Sequence, residues 1–262
     1  MSETTQDAPA RRTTTPLRLV LAWCVHLLTA SGAVAGALAL LATWQGRLDL
    51  AGLLMILALV IDSVDGTLAR AVGVSEILPN VDGRRLDDMV DYFNFVIVPV
   101  VFMVSTGSLP SWIWAIPPIL ASAYGFSQAD AKTDDDFFLG WPSYWNVLAF
   151  YCWLLPLSST ASSTWVAVCS FAIFVPLKYA YPSKIRQPFF KHTLNGGGLV
   201  WAMILAAAIL RPDLDDQYRL TEISLLYLFY YMGLSIWLGD WLGAGKRAWQ
   251  RVSKRGSRRD PA

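Results

Sequence analysis

The chain is built from long apolar runs separated by short polar links, a pattern typical of membrane proteins. Hydrophobic residues make up 55% of its 262 positions, and about 20 apolar residues in a row suffice for a helix to cross a bilayer. The pattern predicts an all-α, polytopic membrane helical bundle of about eight transmembrane helices. The predicted spans are residues 17–43, 48–72, 87–105, 109–129, 143–157, 164–181, 196–210 and 223–241.

Both ends of the chain are polar and lie outside these runs. Residues 1–16 contain a threonine run and two prolines, and we expect a disordered cytosolic tail there. Residues 246–262 contain seven Lys and Arg, and we expect a basic cytosolic tail that lies against anionic membrane lipid. The remainder, 17–245, is predicted to be a single transmembrane domain.

The distribution of basic residues predicts the orientation of the chain in the membrane. Lys and Arg concentrate in the loops on the cytoplasmic side. If both termini face the cytosol, 18 of the 21 Lys and Arg lie on that side, and only Arg47, Arg211 and Arg219 lie outside. This partition favours cytosolic termini.

Four aspartates lie where two of the predicted spans meet the cytosol. Asp62 and Asp65 are three residues apart on the second span, and Asp87 and Asp91 are four apart on the third, so two helix faces direct four carboxylates at one place. Such carboxylates repel each other unless cations lie between them, and hard divalent ions prefer carboxylate oxygen. The spacing predicts a two-metal site for Mg²⁺ or Mn²⁺. The alternative is a solvated loop between helices, which is the interpretation we give to the neighbouring Asp82 and Asp88.

Small and basic residues are interleaved with these acids at fixed distances. The pattern is D-x2-D-G-x2-A-R-x12-G-x3-D-x3-D, in which Gly66, Ala69, Arg70 and Gly83 are the residues other than aspartate. It resembles the signature of the CDP-alcohol phosphatidyltransferase family. Most members have eight residues between the Arg and the second Gly, whereas this chain has twelve, 71–82. The longer gap resembles the variant found in bacterial phosphatidylcholine synthases.

The resemblance implies a reaction and a set of roles. In the family, an alcohol hydroxyl attacks the lipid-side phosphate of CDP-diacylglycerol and CMP leaves, catalysed by a six-helix core in a homodimer. Carried over residue by residue, the pattern makes Asp62, Asp65 and Asp87 metal ligands. It makes Asp91 either a ligand or the catalytic base that accepts the alcohol proton.

The same resemblance assigns the CDP-diacylglycerol contacts. Gly66, Ala69 and Gly83 would let the nucleotide approach the helix backbone closely, and Arg70 would donate to phosphate or cytidine. For the small residues, ordinary helix packing is the alternative. The expected location is the bacterial inner membrane, with the acidic site facing the cytosol.

Two further stretches, 131–151 and 175–184, also resemble phosphatidylcholine synthases and bear on the acceptor alcohol. The quaternary ammonium of choline donates no hydrogen bond, so proteins bind it with aromatic faces and carboxylates. Asp134 to Asp136 would supply carboxylates. The candidate choline-binding aromatic residues are Trp141, Tyr144, Trp145, Tyr179 and Tyr181. The alternative is an aromatic belt at the membrane interface.

Other functions remain as alternatives or are excluded by composition. A related enzyme would use serine, inositol phosphate or glycerol phosphate in place of choline. A divalent-cation transporter is disfavoured because its path needs polar groups across the full membrane depth, whereas these acids cluster at one end. We expect no nucleic-acid partner, since no zinc-finger spacing or aromatic-interleaved basic patch is present.

Overall fold

The computed structural model describes residues 15–128, 131, 133, 135–155, 157–241 and 243. The predicted tails at 1–16 and 246–262 therefore lie outside the described residues, apart from Thr15 and Pro16. Between them the chain is helical almost throughout, as predicted. The helices are α1 (Pro16–Trp44), α2 (Leu48–Val72), α3 (Val74–Ile77), α4 (Gly83–Tyr92), α5 (Val98–Ser105), α6 (Ile116–Ser127), α7 (Trp145–Leu154), α8 (Ser159–Ala172), α9 (Pro188–Leu210), α10 (Pro212–Tyr218) and α11 (Leu220–Leu238).

Two short irregular helices complete the set. A five-residue π-helical turn, Phe93–Ile97, joins α4 to α5, so that residues 83–105 form one long helix. A 3₁₀ turn, Trp112–Ala115, precedes α6. The long helix begins at Gly83, four residues before the predicted start. Asp82 explains this, because its side chain accepts a hydrogen bond from the backbone N–H of Arg85 and caps the helix.

Four of the described helices are long and apolar enough to cross a membrane, judged by length and composition. They are Pro16–Trp44, Gly83–Ser105, Pro188–Leu210 and Leu220–Leu238. The chain is thus a multi-pass membrane protein, although the count of about eight spans is not confirmed. The predicted spans at 109–129, 143–157 and 164–181 correspond to helices of 12, 10 and 14 residues, which are shorter than the roughly 20 residues a bilayer requires.

The predicted span at 164–181 is wrong in its second half. Helix α8 ends at Ala172, and Lys178–Ala180 forms a strand (β2) paired antiparallel with Phe137–Leu139 (β1). Pro176 gives the reason, since proline lacks the N–H that a helix needs and restricts the residue before it. This two-stranded sheet is an addition to the all-α architecture and ties together the loops that follow α6 and α8.

Helix α1 packs closely against both α2 and the long helix formed by residues 83–105. Its small residues make this possible, as the sequence predicts for 30–37. A Cβ atom on Gly36 would lie only 2.0 Å from Oδ1 of Asn94, which belongs to the π-helical turn. The glycine at position 36 thus allows α1 to approach closely the long helix that carries Asp87 and Asp91.

Candidate metal and substrate site

Three of the four aspartates come together in the structure. Each of Asp62, Asp87 and Asp91 offers a carboxylate oxygen, and these oxygens lie within 4.8 Å of one another. Asp62 comes from α2, while Asp87 and Asp91 occupy successive turns of one face of α4. All three are partly buried. An oxygen-only donor set of this charge suits a hard divalent ion, so the residues present could hold a metal.

Asp65 lies apart from this group. Its side chain is only 4% exposed, and its Oδ2 accepts a hydrogen bond of 2.7 Å from the hydroxyl of Thr29 on α1. The bond joins α1 to α2 one turn beyond Asp62. Sequence analysis missed Thr29. The signal for it was available, because Thr29 and His26 are polar residues three apart on a helix that is otherwise largely apolar.

The three residues that follow Asp65 in the pattern differ in their surroundings. A Cβ atom on Gly66 would meet only the guanidinium of Arg70, at 3.4 Å, so the backbone at Gly66 is open to a ligand. Arg70 is exposed and donates to the hydroxyl of Thr67 at 3.1 Å. Ala69, in contrast, packs against the small cluster of Ala22, Val25 and Val74.

Gly83 is covered from the α1 side. A Cβ atom on Gly83 would lie 2.9 Å from Cε1 of His26, closer than nonbonded carbon atoms approach. This contact favours helix packing, the alternative raised for the small residues, as the reason for a glycine here. Gly83 and Gly66 thus serve different purposes in this structure.

Three of the five candidate choline-binding aromatic residues, Trp141, Tyr144 and Tyr179, lie in or against one hydrophobic cluster. Trp145 is fully buried, and its indole N–H donates to the hydroxyl of Ser122 at 2.7 Å. Trp141 stands edge-on to Trp145, with ring centroids 4.5 Å apart. These two rings pack in or against the main hydrophobic core.

The two candidates from the second stretch lie at the sheet. Tyr179 lies on β2 and packs against Trp241, with ring centroids 4.8 Å apart, and burial raises its pKa to about 12. Tyr181 stacks on Phe138 of β1 at 4.2 Å. Each of the two rings therefore packs against another aromatic side chain, and the ammonium of Lys184 also lies over the Tyr181 ring, 5.1 Å from its centroid.

Tyr144 is the candidate linked to the acidic cluster. It precedes α7, is partly buried, and stands edge-on to Tyr231, with ring centroids 5.9 Å apart. Burial raises the pKa of its phenol well above the usual range, and among further contributions the charge of Asp62 raises it again. The charge of Asp62 is the smallest of these contributions.

The carboxylates expected to assist choline binding have basic partners. Asp135 accepts from the ammonium of Lys178, and this bond holds the pKa of the Asp135 carboxyl below its usual value. Asp136 pairs with Arg186 at 3.3 Å. Asp134 lies outside the described residues. The two described acids thus stabilise the connection between the loops around β1 and β2.

Comparison with known proteins identifies the family. No protein-family model matches the chain. A phosphatidylcholine synthase of Borreliella burgdorferi is 35% identical over 222 residues, which cover 84% of this chain and 94% of the relative. That of Legionella bozemanae is 43% identical, covering 77% and 96%, and that of Pseudomonas aeruginosa is 32% identical, covering 90% and 100%. The chain therefore belongs to the bacterial phosphatidylcholine synthases, a branch of the CDP-alcohol phosphatidyltransferase family.

Proposed function

We propose that this protein transfers the phosphatidyl group of CDP-diacylglycerol to choline and releases CMP, with Mg²⁺ or Mn²⁺ bound at its aspartates. The observation that carries the proposal is the convergence of Asp62, Asp87 and Asp91 within 4.8 Å in a chain of this family. Asp62, Asp87 and Asp91 would hold the ion, which when bound would supply positive charge to neutralise the pyrophosphate and the charge on departing CMP. Asp65, a metal ligand in the family pattern, would belong to the same two-metal site.

The protein's own residues bind and orient the two substrates. The backbone at Gly66 is open, and Arg70 is exposed beside it, so that this turn of α2 would bind the phosphates or cytidine of CDP-diacylglycerol, next to Ala69. Asp91 would accept the proton of the choline hydroxyl as its oxygen attacks the lipid-side phosphate. Asp91 can take that role because it belongs to the cluster of three carboxylates, two turns along α4 from Gly83.

Choline binding is proposed to involve Tyr144 first among the aromatic candidates. A quaternary ammonium is attracted both to an aromatic face and to carboxylates, and Tyr144 is the aromatic candidate whose phenol the charge of Asp62 affects. Trp141, Trp145, Tyr179 and Tyr181 would act as supports of this region.

The location and orientation of the site in the membrane are inferred from the distribution of basic residues and from the family. We propose that residues 17–245 form the catalytic domain in a bacterial inner membrane, with the termini and the aspartates facing the cytosol. The 18 to 3 partition of basic residues supports this orientation. Homodimerisation is proposed from the family resemblance.

The test is CMP release by purified protein supplied with CDP-diacylglycerol, Mn²⁺ or Mg²⁺, and one labelled acceptor at a time. Choline is expected to give labelled lipid in a reaction that a chelator stops. Use of serine, inositol phosphate or glycerol phosphate in its place would refute the acceptor. Absence of CMP release with every acceptor would refute the enzyme and favour a transporter.

A further inference from the structure

His26 is a buried polar side chain without an evident purpose in the chemistry described above. It lies on α1, which carries no position of the aspartate pattern, and it is 7% exposed. Its Nε2 has no hydrogen-bond partner among the described residues. A polar group buried within a membrane helix is costly and needs a reason. Because no described residue bonds Nε2, we looked for that reason in the shape and position of the ring.

The imidazole ring of His26 lies at the start of α4. Gly83 is the first residue of that helix, and a Cβ atom there would lie 2.9 Å from Cε1 and 3.7 Å from Nδ1 of His26. The first turn of α4 therefore rests directly on the imidazole, and a side chain at position 83 would have to displace the ring.

Any movement of this turn is passed on to the metal acids. Gly83, Asp87 and Asp91 are four residues apart and share one face of α4, while Asp62 approaches from α2. A tilt or slide of α4 on the ring would change the separation of Asp87 and Asp91 from Asp62. Misplacement of reacting groups by about 1 Å lowers rates by about a hundredfold.

We infer that His26 is a positioning residue, whose ring seats the first turn of α4 on α1 and thereby sets Asp87 and Asp91 against Asp62. For its effect on turnover, the inference rests on the proposed function. For its effect on metal binding, it depends only on the three carboxylates. The contact with His26 then gives a packing reason for the glycine at position 83.

The test adds a methyl group at position 83 and removes the ring at position 26, singly and together. Gly83→Ala is expected to weaken Mn²⁺ binding, measured from free Mn²⁺ by electron paramagnetic resonance, and to lower CMP release, each at least tenfold. His26→Ala removes the ring that the new methyl group strikes. The double variant is therefore expected to match His26→Ala alone, whose loss is expected to be clearly smaller than that of Gly83→Ala. A double variant as impaired as Gly83→Ala would overturn the inference, because the methyl group would then obstruct something other than His26.

Gly66→Ala is the matched control, because its Cβ atom would meet only Arg70. Any loss it causes should persist when His26→Ala is added, and rescue there would also overturn the inference. His26→Ala alone is expected to weaken Mn²⁺ binding about threefold or more and to lower kcat at unchanged KM for CDP-diacylglycerol. A reduced yield of folded protein with unaltered Mn²⁺ binding would instead show that His26 is merely structural.

Wild-type protein that binds Mn²⁺ but releases no CMP would refute the proposed function, and the Mn²⁺ titrations would still decide the role of His26.

Discussion

Thr29→Val tests whether the hydrogen bond between α1 and Asp65 supports the metal site. Valine has nearly the shape of threonine, so the substitution removes the hydroxyl and leaves the packing of α1 on α2 in place. In the native protein, that hydroxyl donates to Oδ2 of Asp65 at 2.7 Å, and both side chains are buried.

The expected size of the effect follows from the charge on the acceptor. A hydrogen bond to a charged group contributes about 1.5–3 kcal/mol, whereas a hydrogen bond between membrane helices contributes about 0.6 kcal/mol on average. If Asp65 binds metal as a carboxylate, the larger range applies, and each 1.4 kcal/mol is a factor of ten. We therefore expect Thr29→Val to raise the Mn²⁺ concentration for half-maximal CMP release about tenfold or more.

The assay is an Mn²⁺ titration of CMP release at saturating CDP-diacylglycerol and choline. Thr43→Val is the control, because Thr43 is also a buried threonine of α1, and its hydroxyl donates to the carbonyl of Ala39 within the same helix. That variant should titrate like the wild type. A shift below about threefold for Thr29→Val, the effect of an average interhelical bond, would refute the assignment of Asp65 to the metal site.

Three further predictions concern the base, the acceptor and the topology. Asp91→Asn keeps the shape but removes the base, so kcat should fall at least a hundredfold while CDP-diacylglycerol still binds; normal turnover would place the base elsewhere. Tyr144→Leu should raise the choline KM about tenfold at unchanged KM for CDP-diacylglycerol, since a desolvated cation over a ring is worth up to about 2 kcal/mol. Trp145→Leu should instead lower thermal stability, and the opposite result for the pair would refute the choice of Tyr144. In a variant without native cysteines, an impermeant thiol reagent applied outside should label a cysteine at Gly107 and miss one at Ser75; the reverse would invert the topology.

The helix boundaries near the site were predictable from local patterns. The predicted spans 17–43 and 48–72 agree with α1 and α2 to within a residue at each end, because continuous apolar runs bounded by polar links define them. After α2, the apolar runs predicted helix lengths that differ from those in the structure. An apolar residue is equally suited to a span, a short buried helix or a strand, and at 178–180 the pairing with β1 decided in favour of a strand.

The aromatic candidates show a different limit of sequence reasoning. Tyr144 and Trp145 are adjacent in the chain and equally suited by type to bind a quaternary ammonium. Helix α7 begins at Trp145 and turns that ring into the core, where Ser122 accepts its N–H, while Tyr144 precedes the helix and is only partly buried. Only tertiary contacts, such as that of Trp145 with Ser122 of α6, separate the two.

The sequence by itself determined the membrane-helical class, the family and the four aspartates, because these depend on composition and on spacings within single helices. Tertiary structure alone decided how the aspartates are held. Thr29 bonds to Asp65 across 36 positions of sequence, and His26 meets Gly83 at still greater separation. Helical periodicity fixes which residues share a face, but it carries no information about which residue of another helix that face will meet. That choice depends on the close approach of α1 to α2 and α4, which the whole bundle sets.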